Sequence, residues 1–171
     1  TSGTALASVT FRVQDNGGTA GGGQDFDLAD RQISFNVTTG INTPPNGVAS
    51  NVETNEGVTY VFRTSDFRFT DAQNHNLEAV LLTSTPNQGV LRLNGVPVTA
   101  SAATPQLVTA LDLTSGKLTF EPLPVNGSGQ AFGTFGFRVR DDGGTASGGV
   151  DTDATADTMT VAVNAVNDPP A

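Results

Sequence analysis

The acidic side chains of this chain are concentrated: nine of 17 (Asp15, Asp25, Asp27, Asp30, Asp141, Asp142, Asp151, Asp153 and Asp157) fall in, or within four residues after, two Gly-rich stretches. The later stretch runs from Phe137-Arg138-Val139-Arg140-Asp141 through paired glycines to Asp151-Thr152-Asp153. The earlier one, Phe11 to Asp27, lies 126 positions upstream and is identical at 12 of 17 residues. Calcium takes about six to eight oxygens from carboxylates, Asn side chains, backbone carbonyls and water. A glycine-rich loop with spaced aspartates offers such oxygens and leaves the backbone free to curl around an ion. Asp15, Asp25 and Asp27, and Asp141, Asp151 and Asp153, are therefore candidate calcium ligands. Asp and Gly are also ordinary turn residues; recurrence at one spacing favours the ion.

Other chemistry finds less support. His75 is the one histidine, and a triad needs a base beside a nucleophile. No Gly-x-Ser-x-Gly elbow accompanies it, so His75 reads as a loop histidine without a catalytic task. Acid pairs such as Asp141 and Asp151 could act as in glycosidases, but a repeated loop argues for a structural role, and no enzyme is expected. Cysteine is absent, which removes disulfides, thiolate catalysis and Cys-ligated zinc. Asn36-Val37-Thr38 and Asn126-Gly127-Ser128 match the glycosylation triplet, a pattern frequent by chance.

The net charge of −9 argues against nucleic acid and anionic membranes, whose phosphates require Lys and Arg. No apolar run approaches the length of a membrane span. Gly, Thr, Asn, Asp and Ser are plentiful and Lys appears once, a profile of short strands joined by turns.

The elements that must position the acids follow from period-two alternation. Val9–Val13 and Ile33–Val37 form a hairpin around the first Gly/Asp loop. Val48–Glu53 is a strand that turns at Asn55-Glu56-Gly57, and Val58–Phe62 continues through Phe67 and Phe69. Thr70–Asn76 is a loop and Ala79–Thr83 a strand. Val90–Leu93 and Val96–Val98 flank Asn94-Gly95, a strong hairpin signal, with Pro97 on an edge. Residues 102–114 read as a short helical or irregular turn. Lys117–Glu121, Ala131–Arg140 and Thr158–Asn164 complete about seven strands, an all-β Greek-key sandwich. Both motif copies lead to a Pro-Pro pair, at Pro44-Pro45 and Pro169-Pro170, so the chain divides into 46–171, one complete repeat, and 1–45, the last hairpin and linker of a preceding one.

Asn55-Glu56-Gly57, the loop acid Asp71, the Phe-Arg-Val-x-Asp-x-Gly-Gly strand end and Val166-Asn167-Asp168-Pro169-Pro170 together resemble the cadherin-like tandem repeats of large bacterial surface adhesins, of the RTX and biofilm-associated type. The resemblance implies an Ig/cadherin-like sandwich with calcium at the junctions between repeats, stiffening an extended rod. Carried over by position, Asn167 and Asp168 join Glu56 at the outgoing junction, and Asn42, Asp71 and Asp141 meet at the incoming one. Two departures weaken the incoming site: Thr43 stands where Asp168 stands in the second linker, and Asp71-Ala72-Gln73 lacks a second acid. Asp25, Asp27, Asp151 and Asp153 are left for a separate loop site.

The expected function is that of a calcium-binding spacer repeat of an extracellular adhesin, secreted or on the bacterial surface, whose partners are neighbouring repeats. Two alternatives stand beside it. One is a carbohydrate-binding module, disfavoured by the lack of Trp and the single Tyr. The other is a filament subunit that self-associates by strand exchange through residues 1–45.

Overall fold

A computed structural model describes residues 3–37 and 40–167. The chain forms two compact units, Thr1–Gly40 and Ile41–Ala171. The division precedes the Pro44-Pro45 pair because Asn42, Pro45 and Gly47 are buried within the second unit.

The first unit is a two-stranded antiparallel sheet of β1 (Gly3–Phe11) and β2 (Arg31–Val37). The second contains β3 (Ser50–Asn55), β4 (Tyr60–Val61), β5 (Leu77–Leu82), β6 (Val90–Leu93), β7 (Val96–Pro97), β8 (Gln106–Thr109), α1 (Ala110–Thr114), β9 (Leu118–Glu121), β10 (Gly129–Asp141) and β11 (Asp157–Asn164). A five-stranded sheet, β3-β11-β10-β5-β8, faces a four-stranded one, β4-β9-β6-β7. This is an all-β sandwich, and seven of its nine strands among the described residues are four residues or longer. Only β3 and β11 pair in parallel; the other pairings are antiparallel. Among the described residues no helix is long and apolar enough to cross a membrane.

Alternation along β10 sends Phe135, Phe137 and Val139 inward, where they meet Met159 and Val161 of β11 and Val80 and Leu82 of β5. Phe62, Leu91, Leu118 and Phe120 close the core from the other side. Phe62 meets Phe135 edge-on at 5.7 Å, and Phe67 meets Phe137 at 5.1 Å. Each buried Phe contributes about 1.5–3 kcal/mol, and each edge-on pair roughly 0.5–1.5 kcal/mol beyond that.

Two segments differ from the sequence expectation. The strand predicted through Phe67 stops at Val61, and Thr64–Phe67 is a 3₁₀ turn. The Asp66 carboxylate accepts from Arg63 N–H (2.8 Å) and from the Tyr60 hydroxyl (3.1 Å), a local alternative to ladder pairing. Phe67 reaches the core all the same. In 102–114 the chain forms the edge strand β8 and then α1, which starts at a reciprocal cap: Asp112 N–H donates to Thr109 Oγ1 and Thr109 N–H to the Asp112 carboxylate. The Asn94-Gly95 turn forms as expected, with φ of 51° and 80°, and β7 with Pro97 lies at a sheet edge.

The sequence repeat is a structural repeat. Ala7↔Phe35 and Phe11↔Arg31 in the first hairpin match Gly133↔Val161 and Phe137↔Asp157 in β10–β11, all 126 positions apart. Beyond the strands, Gln14↔Phe26 matches Arg140↔Thr152. Burial is where the copies part. Phe135, Phe137, Val139, Met159 and Val161 are buried, whereas their counterparts Val9, Phe11, Val13, Ile33 and Phe35 are between 38% and 56% exposed.

Candidate metal centre

Asp141 is the last residue of β10, on the same inward alternation as Phe137 and Val139, and it is fully buried. Its N–H donates to the Asp151 carbonyl at 2.8 Å. Its Oδ1 accepts from Gly143 N–H and Asn42 Nδ2, each at 2.8 Å. Its Oδ2 is buried without a partner.

Asn42 enters from the linker into the loop that follows Asp141. Val150 N–H donates to its carbonyl at 3.0 Å, and its Nδ2 also donates to the Gly144 carbonyl at 3.1 Å. Both Nδ2 contacts are acceptors, which fixes the amide orientation and leaves Oδ1 buried without a partner.

Asp71 comes from the 70–76 loop with its side chain wholly buried. Its Oδ1 accepts from Gln73 N–H (2.9 Å) and His75 N–H (2.7 Å), while Oδ2 has no partner. Asn74, with φ of 61°, turns the chain so that His75 returns over Asp71. The His75 Nδ1 lies 3.4 Å from Asp71 Oδ1 and is buried without a hydrogen bond. Asp71, His75 and Asp141 offer ligand atoms within 4.8 Å of one another, the one such group of three or more among the described residues.

The loops are docked by Asp142 and Asn76. Asn76 N–H and Nδ2 donate to the two Asp142 carboxylate oxygens at 2.8 and 3.1 Å, and Asp142 N–H donates to the Asn76 carbonyl at 3.0 Å. The Asn76 side-chain bond, followed by its backbone bond, holds the Asp142 carboxyl below its ordinary value. The two positions where acids were expected carry a neutral pair instead. Gln73 Oε1 accepts from Thr43 N–H and Oγ1, both at 2.9 Å, and Gln73 Nε2 donates to the Ile41 carbonyl at 2.8 Å. Those bonds clamp the linker on either side of Asn42.

An unsatisfied buried polar group costs about 1–3 kcal/mol, and more when charged. Four such atoms belong to the residues that meet here: Asn42 Oδ1, Asp71 Oδ2, His75 Nδ1 and Asp141 Oδ2. Two of them belong to carboxylates with no Arg or Lys ion-pair partner among the described residues. Asp71, His75 and Asp141 are a candidate cation site.

The remaining predicted ligands are not brought into this group. The loop acids close their own turns, and they do so identically in both copies. Gly17 N–H to Asp15 (2.8 Å) corresponds to Gly143 to Asp141, and Ala29 N–H to Asp27 (3.1 Å) corresponds to Thr155 N–H to Asp153 (3.0 Å). Asp25 accepts from Gln14 Nε2, Asp27 pairs with Arg31 at 2.7 Å, and Asp151 accepts from Thr152 Oγ1. Asp153 also accepts from Gly47 N–H at 2.7 Å. At the other end of the unit, the Glu56 carboxylate accepts from Val166 N–H, next to the exposed Asn167. Asp168 lies outside the described residues.

Asp157 forms a second acid pair with Asp153. A Cβ on Gly47 would lie 2.6 Å from Asp157 Oδ2 and 3.3 Å from Asp153 Oδ2. Burial, then the Asp153 charge, push the Asp157 carboxyl up from its ordinary value. In the first copy Arg31 occupies this position, and the like-charge pair becomes an ion pair.

His75 is the member that sequence reasoning missed. Its only signal was the Asp71-x-x-x-His75 spacing in a loop with no helix to give that spacing meaning. Comparison of the chain with protein-family models, with curated proteins and with solved structures gives no match.

Proposed function

We propose that this chain is a cation-stapled structural repeat of an extracellular bacterial adhesin, a spacer in an extended rod, with calcium as the cation that the cadherin-like resemblance implies. The observation that carries this is the pair of fully buried carboxylates, Asp71 and Asp141, each with one unpartnered oxygen, beside Asn42, which bonds Asp141 and whose Oδ1 is also unpartnered. Asn42 belongs to the linker and the carboxylates to the sandwich, so an ion held by all three fixes how the chain enters the repeat. That is the mechanical task of a rod. The matching registers of β1–β2 and β10–β11 favour residues 1–45 as the closing hairpin and linker of a preceding repeat, whose other strands cover Val9, Phe11, Ile33 and Phe35. Glu56 and Asn167 serve the outgoing junction.

The test is thermal unfolding in EDTA, in millimolar calcium and in millimolar magnesium. A calcium-dependent rise in Tm that Asp141→Asn abolishes is expected. Identical melting curves in all three solutions would refute the proposal.

Strand exchange is the second reading, favoured by the exposed apolar face of the first hairpin. Sedimentation velocity across a concentration series separates a monomeric spacer from an assembling subunit. A carbohydrate platform has less support: the single tyrosine, Tyr60, is half-buried and bonded to Asp66, with its hydroxyl pushed up to about 12 by burial and by Asp66.

A further inference from the structure

We infer that the Asn42–Asp71–His75–Asp141 group, beyond taking calcium, also accepts zinc through the His75 imidazole and holds it more tightly. This rests on the proposal that the group holds a cation, and it concerns which one. Calcium is bound by oxygen and has little use for an imidazole; imidazole nitrogen suits zinc and its first-row neighbours, whose affinity for a mixed nitrogen and oxygen site exceeds that of harder ions.

The observation is the placement of His75 Nδ1. The side chain is 31% exposed, yet Nδ1 itself is buried, unbonded and 3.4 Å from Asp71 Oδ1. Three features hold it there: the His75 N–H bond to Asp71 Oδ1, the left-handed Asn74 before it, and Gly143 beneath it. A Cβ at Gly143 would come within 2.5 Å of His75 Nδ1 and Cε1 and 2.6 Å of the Asn42 amide carbon. Glycine at 143 is thus what lets the imidazole and the amide approach Asp141 together. The donor atoms of Asp71, His75 and Asp141 lie within 4.8 Å of one another, and an ion at about 2.0–2.2 Å from each would draw them closer together. Asn42, whose amide carbon lies beside Gly143 together with His75 Nδ1, offers its unpartnered Oδ1 as a fourth donor. Two anionic oxygens, one amide oxygen and one imidazole nitrogen make a four-donor set that zinc accepts without expansion, whereas calcium needs about two to four further oxygens.

The experiment is calorimetric titration of the metal-free 171-residue chain with zinc and calcium, repeated with His75→Ala and Gly143→Ala. Circular dichroism checks that each variant is folded, and cobalt absorption reports nitrogen ligation. Zinc should bind about tenfold or more tighter than calcium, and His75→Ala should weaken zinc about tenfold or more while changing calcium less than about twofold. Cobalt bound to the parent chain should show a ligand-field spectrum that His75→Ala alters. Gly143→Ala should weaken both zinc and calcium. Calcium tighter than zinc, or zinc binding indifferent to His75→Ala, overturns the inference and leaves the calcium-stapled repeat standing. Failure of every ion to bind the folded chain overturns both.

Discussion

Asp71→Asn should have opposite effects with and without a cation. The Asp71 and Asp141 donor oxygens lie no more than 4.8 Å apart, so two full charges repel by about 3.5 kcal/mol or more at an effective dielectric near ~20. The amide keeps an oxygen for the Gln73 and His75 N–H groups and removes the charge from the unpartnered Oδ2 position. In EDTA the variant should therefore be more stable than the parent. With a cation the order reverses. For a site with Kd of ~0.1 mM, ~10 mM ion stabilises the parent by about 2.7 kcal/mol, a gain the variant loses. For a unit of this size that is a rise in Tm of roughly 8–10 °C. The assay is differential scanning calorimetry of both proteins in EDTA and in calcium or zinc. If Asp71→Asn lowers Tm equally in both solutions, Asp71 is only a loop hydrogen-bond acceptor and the cation argument fails.

Three further outcomes follow from the same geometry. The carboxyl of Asp157 is pushed above its ordinary value of 3.8, so the fold binds the extra proton and loses stability as pH rises through that window; Asp157→Asn should raise Tm at pH 7, and a thermal series should show the gain fading below about pH 4. Asp112 is the reverse case, lowered to about 2 by the Thr109 hydroxyl and then Lys117: its contribution is present above 3.8 and lost as pH falls through about 2, and Asp112→Asn should flatten that part of an acid-unfolding profile. Gln73→Ala removes the bonds to Thr43 and Ile41 and should weaken cation affinity without removing any proposed donor, measured by titration alongside Asp71→Asn.

Much of the fold was legible because it is written in local chemistry. Alternation along β10 and β11, the Asn94-Gly95 turn and the edge position of Pro97 all act within a few residues. Where a side chain competed with the ladder, as Asp66 does between Tyr60 and Phe67, alternation misled. The four-residue β8 was missed because its strand state is decided by pairing with β5, not by its own pattern. At the site, Asn42, Asp71 and Asp141 were named together through the family resemblance, and the structure brings those three into one group. His75 carried no comparable signal, and Asp15, Asp25, Asp27, Asp151 and Asp153 accept hydrogen bonds within their own loops.

The sequence by itself determined that this is a β protein built on a repeat, with acids at matching strand ends, because strand period and turn chemistry are properties of neighbouring residues. Only the tertiary structure decided which acids are buried together. Asn42 and Asp141 are 99 residues apart and Asn76 and Asp142 are 66 apart, distances at which nothing local sets an orientation. Asp15 and Asp141 sit in the same loop with the same hydrogen bonds, yet only Asp141 is sealed under a neighbouring loop and a linker amide. Burial, and the unpaired oxygens it creates, belongs to the packed sandwich and not to the motif.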